Sequence, residues 1–223
     1  MTPGSVVGHI GLATAVPIIH AVTTDEVVAR EDFIDTACAV MRTLGSRGAL
    51  HLRAHRLTGE RFRSLAEGLV AAQQFTGCWL VINDRVDVAL VAGARGAQLT
   101  SRSLLAGDAR RIAPELRIGA SVHDVGEGKL ASASGADWLV AGQVFATISN
   151  AEAPPRGVAW LQSLVEATRT PVVAIGGIRP DHAGVLRGAG VHGVAVIRGI
   201  WDAANAEQAA SDYLSAYDHA GAT

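Results

Sequence analysis

The sequence predicts an α/β chain closed into a single (β/α)8 TIM barrel, and three observations carry that expectation. Eight short apolar runs alternate with spans of helical length, as a parallel sheet with crossover helices requires. Polar residues collect at or just beyond the C-terminal halves of those runs, the end where a closed barrel gathers its chemistry. The third is the stretch 171–199, PVVAIGGIRPDHAGVLRGAGVHGVAVIRG, in which the apolar runs 172–175 and 194–197 flank a helical span as strand, helix and strand. An open doubly wound sheet is the runner-up.

With 223 residues, 49% of them hydrophobic and 18% charged, the chain can bury one substantial core. The expected organisation is a small-residue leader over 1–16 and one barrel domain over 17–223. A formal charge of -2 with scattered basic residues gives no footprint for nucleic acid. Cys38 and Cys78 are too far apart in sequence for a local metal-ligand spacing, and neither suggests a disulfide framework. The segment 1–16 lacks a basic n-region, and no apolar run is long enough to span a membrane, so the expected location is cytoplasmic.

In chain order, 17–23 reads as the first strand and 32–44 as a helix with apolar residues at helical spacing, stopped by Gly45. Residues 48–54 form strand two, alternating Leu50 and Leu52 with His51 and Arg53. A helix over 58–75 starts at a Thr58 N-cap. Strand three, 78–84, is closed by Asn83 and Asp84 and followed by a short helix. Strand four is 96–100, with a helix over 104–113. Strand five, 117–123, delivers Ser121 and His123, and a weak helix covers 127–134. Strand six is 137–144, after which 145–155 reads as a loop long enough to form a lid. A helix over 161–167 leads into the last strand pair. The closing helix, 207–217, takes Asn205 as N-cap with Gln208 three residues on.

The rim after the last two strands holds Gly176, Gly177, Arg198 and Gly199. Glycine lets backbone approach an anion, so this rim suits a phosphate; the competing use of the same residues is turn geometry alone. Histidine can take and give a proton near neutrality, and His123, ending strand five, is the candidate acid/base, or else a strand-end histidine bonded to its neighbours. His51 is equally readable as an interior residue or a substrate contact. His9, His20, His55, His182, His192 and His219 read as leader, loop, helix or surface positions. Arg53 needs a partner, either Asp84 or an anionic ligand. Asn83 and Asp84 read as helix caps or as a carboxylate for magnesium.

Seven segments, His51-Leu-Arg53, Ile82-Asn-Asp-Arg-Val-Asp-Val-Ala-Leu90, Ala97-Gln-Leu99, Ser121-Val-His123, Gly142-Gln-Val-Phe-Ala-Thr147, Ala174-Ile-Gly-Gly-Ile178 and Gly193-Val-Ala-Val-Ile197, occur in this order. Together they resemble the family shared by thiamine-phosphate synthase and thiazole tautomerase (TenI-like proteins), known as (β/α)8 barrels. The resemblance covers 49–199. Synthases of the family join a pyrimidine pyrophosphate to a thiazole phosphate, using a QLRxK-like strand two, two acidic Mg2+ ligands and a lid lysine. Here His51 stands in the glutamine position, His55 in the lysine position, Ser103 in the second acidic position and Asn150 in the lid lysine position. Arg53, Asn83 and Asp84 remain. A site short of two lysines and a metal ligand is poorly equipped to neutralise a leaving pyrophosphate, so synthase activity ranks last.

The tautomerase branch resembles this chain in H-x-R on strand two and SVH on strand five. That resemblance implies an isomerase of thiamine biosynthesis: a proton shift aromatising a carboxylated dihydrothiazole phosphate, without metal or cofactor, run by His123. Gly176, Gly177, Arg198 and Gly199 would hold the phosphate, Arg53 and Thr147 the ring or carboxylate, and His51, Asn83, Ser121 and Gln143 would complete the substrate set. Two positions depart. Gln143 replaces a second histidine, and an amide exchanges no proton near neutrality; Arg198 replaces the usual serine. The alternative from another class is a non-catalytic phosphate-ligand binder or regulator. The implied partner is a small phosphorylated thiazole, with neither nucleic acid nor membrane, and a homo-oligomer is compatible with the sequence.

Overall fold

The computed structural model describes residues 15–147 and 154–220. Most of the expected leader, the middle of the 145–155 loop and Asn150 lie outside the described residues. Eight strands, β1 (Ile19–Val22), β2 (Gly48–Leu52), β3 (Trp79–Asn83), β4 (Gly96–Leu99), β5 (Arg117–Val122), β6 (Trp138–Gly142), β7 (Val172–Ile175) and β8 (Gly193–Val196), pair in parallel in chain order. β8 returns to β1, with Ile19 opposite Val194, and closes the barrel. The doubly wound alternative is thereby excluded.

The helices are α1 (Asp25–Val28), α2 (Phe33–Leu44), α3 (Gly59–Thr76), α4 (Val86–Ala92), α5 (Ala106–Ile112), α6 (Val125–Ala133), α7 (Gly157–Ala167), α8 (Ala183–Gly188), α9 (Arg198–Trp201) and α10 (Ala206–His219). Capping fixes several starts where the sequence places them: Thr58 accepts from the Arg61 amide, and Asn205 from that of Gln208. α6 begins two residues earlier than its apolar pattern suggests, because Asp124 caps it by accepting from the Glu127 amide. The single-turn helices α1 and α9 are too short to write a 3.6-residue period and went unread. Among the described residues no helix is long and apolar enough to cross a membrane.

Two apolar layers result from the alternation along the strands. Odd positions of β1 and even positions of β2 and β3, such as Ile19, Leu50 and Ile82, pack outward against the helices. The opposite set, including Val22, Ala49, Trp79, Val81, Trp138 and Val173, fills the barrel. Trp138 is fully buried there and packs edge-on against Trp79. Gly119 makes room for it, since a Cβ at that position would sit 2.2 Å from Trp138 Cε2. Trp138 Nε1 donates to Gln98 Oε1 at 2.8 Å, and Gln98 Nε2 donates to Ser121 Oγ at 3.1 Å, so the indole is tied to polar groups at the strand ends.

His20 occupies none of the leader, loop, helix or surface positions expected of it. It lies within β1, fully buried and pointing into the barrel, with Nδ1 2.8 Å from His51 Nε2 and Nε2 2.9 Å from the Pro17 carbonyl. A polar residue in the middle of a barrel strand can be tolerated only with such partners.

Candidate functional site

The strand ends open into one cavity of about 1460 Å³ at the C-terminal mouth. Every site residue expected from the sequence lines it: His51, Arg53, Asn83, Ser121, His123, Gln143, Thr147, Gly176, Gly177, Arg198 and Gly199. The imidazole of His123 and the glycine rim thus share one space. His51 answers both of its readings, being only 1% exposed and yet part of the cavity wall. His123 is more open, and its Nδ1 lies 3.1 Å from Glu127 Oε2, which also accepts from the His123 backbone amide at 2.7 Å.

The glycine pair is dictated by backbone geometry as well as by any ligand. Gly176 and Gly177 have φ of 102° and 65°. A Cβ on Gly177 would lie 2.4 Å from the Ala146 carbonyl oxygen and 2.9 Å from Phe145 Cβ. The chain after β6 presses against this turn, with the Phe145 amide donating to the Gly176 carbonyl at 3.0 Å. Gly177→Ala should therefore displace the segment that carries Thr147, at a cost of roughly 1–3 kcal/mol, or a Tm lower by several degrees. A thermal melt with a phosphate-ester titration checks this: affinity should fall together with Tm.

Charge is distributed unevenly around the mouth. Arg30, Arg53, Arg156, Arg179 and Arg198 line the cavity against Glu26 and Asp202. Both carboxylates are paired, Glu26 with Arg56 outside the cavity at 3.5 Å and Asp202 with the cavity's own Arg30 at 3.3 Å, while Arg179 pairs with Asp181 at 2.9 Å. Arg198 donates to the Thr147 hydroxyl at 2.7 Å, and Arg156 lies over the Trp160 ring, 5.1 Å from its centroid. Among the described residues no carboxylate pairs with Arg53, Arg156 or Arg198. The Arg53–Asp84 ion pair, one of two options for Arg53, does not form. Arg30, Arg156 and Arg179 are additions that the sequence reading missed.

Asp84 neither caps α4 nor faces the cavity. Its Oδ1 accepts from the Thr100 amide at 3.1 Å and from the Thr100 hydroxyl at 2.5 Å, tying the ends of β3 and β4 together. Ser103, in the second acidic position, donates to the Asp84 carbonyl at 3.2 Å. Among the described residues no group of three His, Cys, Asp or Glu is placed to ligate a metal. Magnesium is ordinarily held by one or two carboxylates with substrate phosphates. A single carboxylate oriented by Thr100 does not fit the two-carboxylate arrangement of the family.

The thiamine monophosphate synthase family profile matches residues 19–200. The thiamine-phosphate synthase of Methanoculleus marisnigri is 39% identical over 184 residues, 80% of this chain and 85% of that protein. That of Chlorobium luteolum is 34% identical over 199 residues, 88% of this chain and 92% of that protein. Among solved structures, the thiamine phosphate pyrophosphorylase from Pyrococcus furiosus superposes with a TM-score of 0.81 at 31% identity, covering 91% of this chain and 96% of that one. These findings overturn the tautomerase expectation, since relatives at 34–42% identity carry the synthase name and nothing favours the tautomerase branch. The role of His123 in that proton shift falls with the reaction. A match that runs from the first residue of β1 into α9, through every strand end that builds the mouth, makes this chain a member of the thiamine monophosphate synthase family.

Proposed function

We propose that this protein is a transferase of the thiamine-phosphate synthase type, joining a pyrimidine pyrophosphate to a thiazole phosphate with release of pyrophosphate. The observation that carries the reading is the set of arginines at the mouth, Arg53, Arg156 and Arg198, facing one cavity without a carboxylate partner among the described residues. Arg53 and Arg198 are partly buried and Arg156 is exposed over the Trp160 ring; partly buried cations left unpaired are costly, and a polyanionic ligand satisfies all three. The cavity, at about 1460 Å³, exceeds the space one drug-sized ligand needs and supports two substrates side by side.

In this reading Arg198, Thr147 and the Gly176–Gly177 turn hold the phosphate monoester at the β7–β8 side. Arg53 and Arg156 meet the pyrophosphate, whose oxygens gain charge as it departs; guanidinium groups fixed before the reaction stabilise that charge without reorganising. His51, Asn83 and Ser121 form the wall between the two anion sites.

The decisive experiment supplies both substrates, with Mg2+ in one arm and a chelator in the other, and measures thiamine phosphate. Product in either arm supports the transferase. Binding of both substrates without product in both arms would leave a binding protein and end the proposal.

A further inference from the structure

We propose that His20 is a positioning residue. The Pro17 carbonyl, acting through His20, holds His51 in the tautomer with its proton on Nε2, so that the wall of the cavity at β2 ends in a hydrogen-bond acceptor. The inference follows from two distances and the chemistry of the groups. A carbonyl oxygen only accepts, so His20 Nε2, 2.9 Å from Pro17 O, must carry hydrogen. A neutral imidazole has one N–H, which leaves His20 Nδ1 with a lone pair. His51 Nε2, 2.8 Å from that lone pair, is therefore the donor, and His51 Nδ1 is bare. Both rings are neutral: burial lowers the His20 pKa to about 4 and pushes that of His51 well below its usual value.

Asn83, at the end of β3, lines the same cavity. Its side chain interacts with His51, and its Oδ1 is buried with no hydrogen-bond partner. A ligand that meets His51 Nδ1 from the cavity meets an acceptor. The chemical class selected is a heterocycle bearing an amino group, in preference to an analogue with a carbonyl oxygen in that place. In the transferase reading, on which this specificity rests, that heterocycle is the pyrimidine half.

The tautomers can be read without substrate. Long-range 1H–15N correlation on the full chain labelled with 15N-histidine should show His20 and His51 as neutral Nε2–H rings at pH 7.5. A neutral Nδ1–H ring or a charged ring at either position would overturn the proposal, whatever the activity. His20→Asn keeps an acceptor near the Nδ1 position, whereas His20→Phe removes it. The Asn variant should preserve both the His51 signature and the KM for the pyrimidine substrate. The Phe variant should lose the fixed tautomer and raise that KM about tenfold with kcat little changed, the weight of one hydrogen bond. Equal KM in the two variants would count against the relay. If the Phe variant does not fold, the wild-type tautomers and the Asn variant still decide. Absence of turnover in the wild type would sink the transferase reading and leave the tautomer result standing or falling by itself.

Discussion

Arg53→Met is expected to lower kcat/KM for the condensation by about 10²–10³-fold while leaving the barrel as stable as before or slightly more so. The backbone of Arg53 is held on both sides by Thr23, which is fully buried at the end of β1: the Arg53 amide donates to Thr23 Oγ1 at 2.9 Å, and Thr23 Oγ1 donates to the Arg53 carbonyl at 2.9 Å. The guanidinium therefore projects from a fixed root into the mouth. No carboxylate among the described residues neutralises it, so its removal breaks no ion pair and relieves a desolvated charge. A structural arginine would behave in the opposite way, with Tm falling and kinetics following only as protein is lost. Steady-state kinetics beside a thermal melt separate the two, and a variant with unchanged kcat/KM would remove Arg53 from the pyrophosphate site.

The barrel was legible because each strand and most helices carry their own period and caps, and because Gly176 and Gly177 mark the turn after β7. The mouth was legible for a similar reason, since His51, Asn83, Ser121 and His123 stand at strand ends and closure brings strand ends together. His20 escaped notice because it sits mid-strand in an apolar run, where composition reads as core. The usable signal was the alternation itself: His20 and Val22 share the inward face, so a histidine there needs a polar partner inside the barrel, which His51 on the neighbouring strand supplies. The branch within the family was misjudged through the lysines. Of 19 Lys and Arg residues in this chain only Lys129 is a lysine, so judging the site by its lysines, at positions held here by His55 and Asn150, overlooked arginines placed elsewhere. Arginine binds phosphate at least as well, through its planar fork. In the proposed reading Arg156 and Arg198 compensate; they come from β6–α7 and β8–α9 segments that only closure brings to the same cavity as Arg53.

Acidification from pH 6.5 toward 4 is expected to cost the folded protein on the order of 3 kcal/mol through His20 alone, equivalent to a drop in Tm of roughly 6–12 °C. The folded-state pKa of His20 is depressed from 6.5 to about 4, first by burial, with the Pro17 carbonyl acting in the opposite direction and the neighbouring His192 adding to the depression. The unfolded chain thus binds a proton between these values that the native barrel refuses. Stability is fully present above pH 6.5 and is lost as pH falls toward the folded pKa. Because the ring is completely enclosed, solvent screening does little to soften the effect. His51 pushes in the same direction, depressed by its own burial and then by His20. The carboxylates held below their ordinary range, Asp25, Glu26, Asp87, Asp181 and Asp218, lose their contribution only below the ordinary carboxylate range, at the foot of this window. Chemical denaturation at steps between pH 7.5 and 4.5 should show the decline in the wild type and a clearly shallower one in His20→Asn, which keeps an acceptor for His51 but cannot titrate. Parallel curves for the two proteins would mean that the proton enters elsewhere.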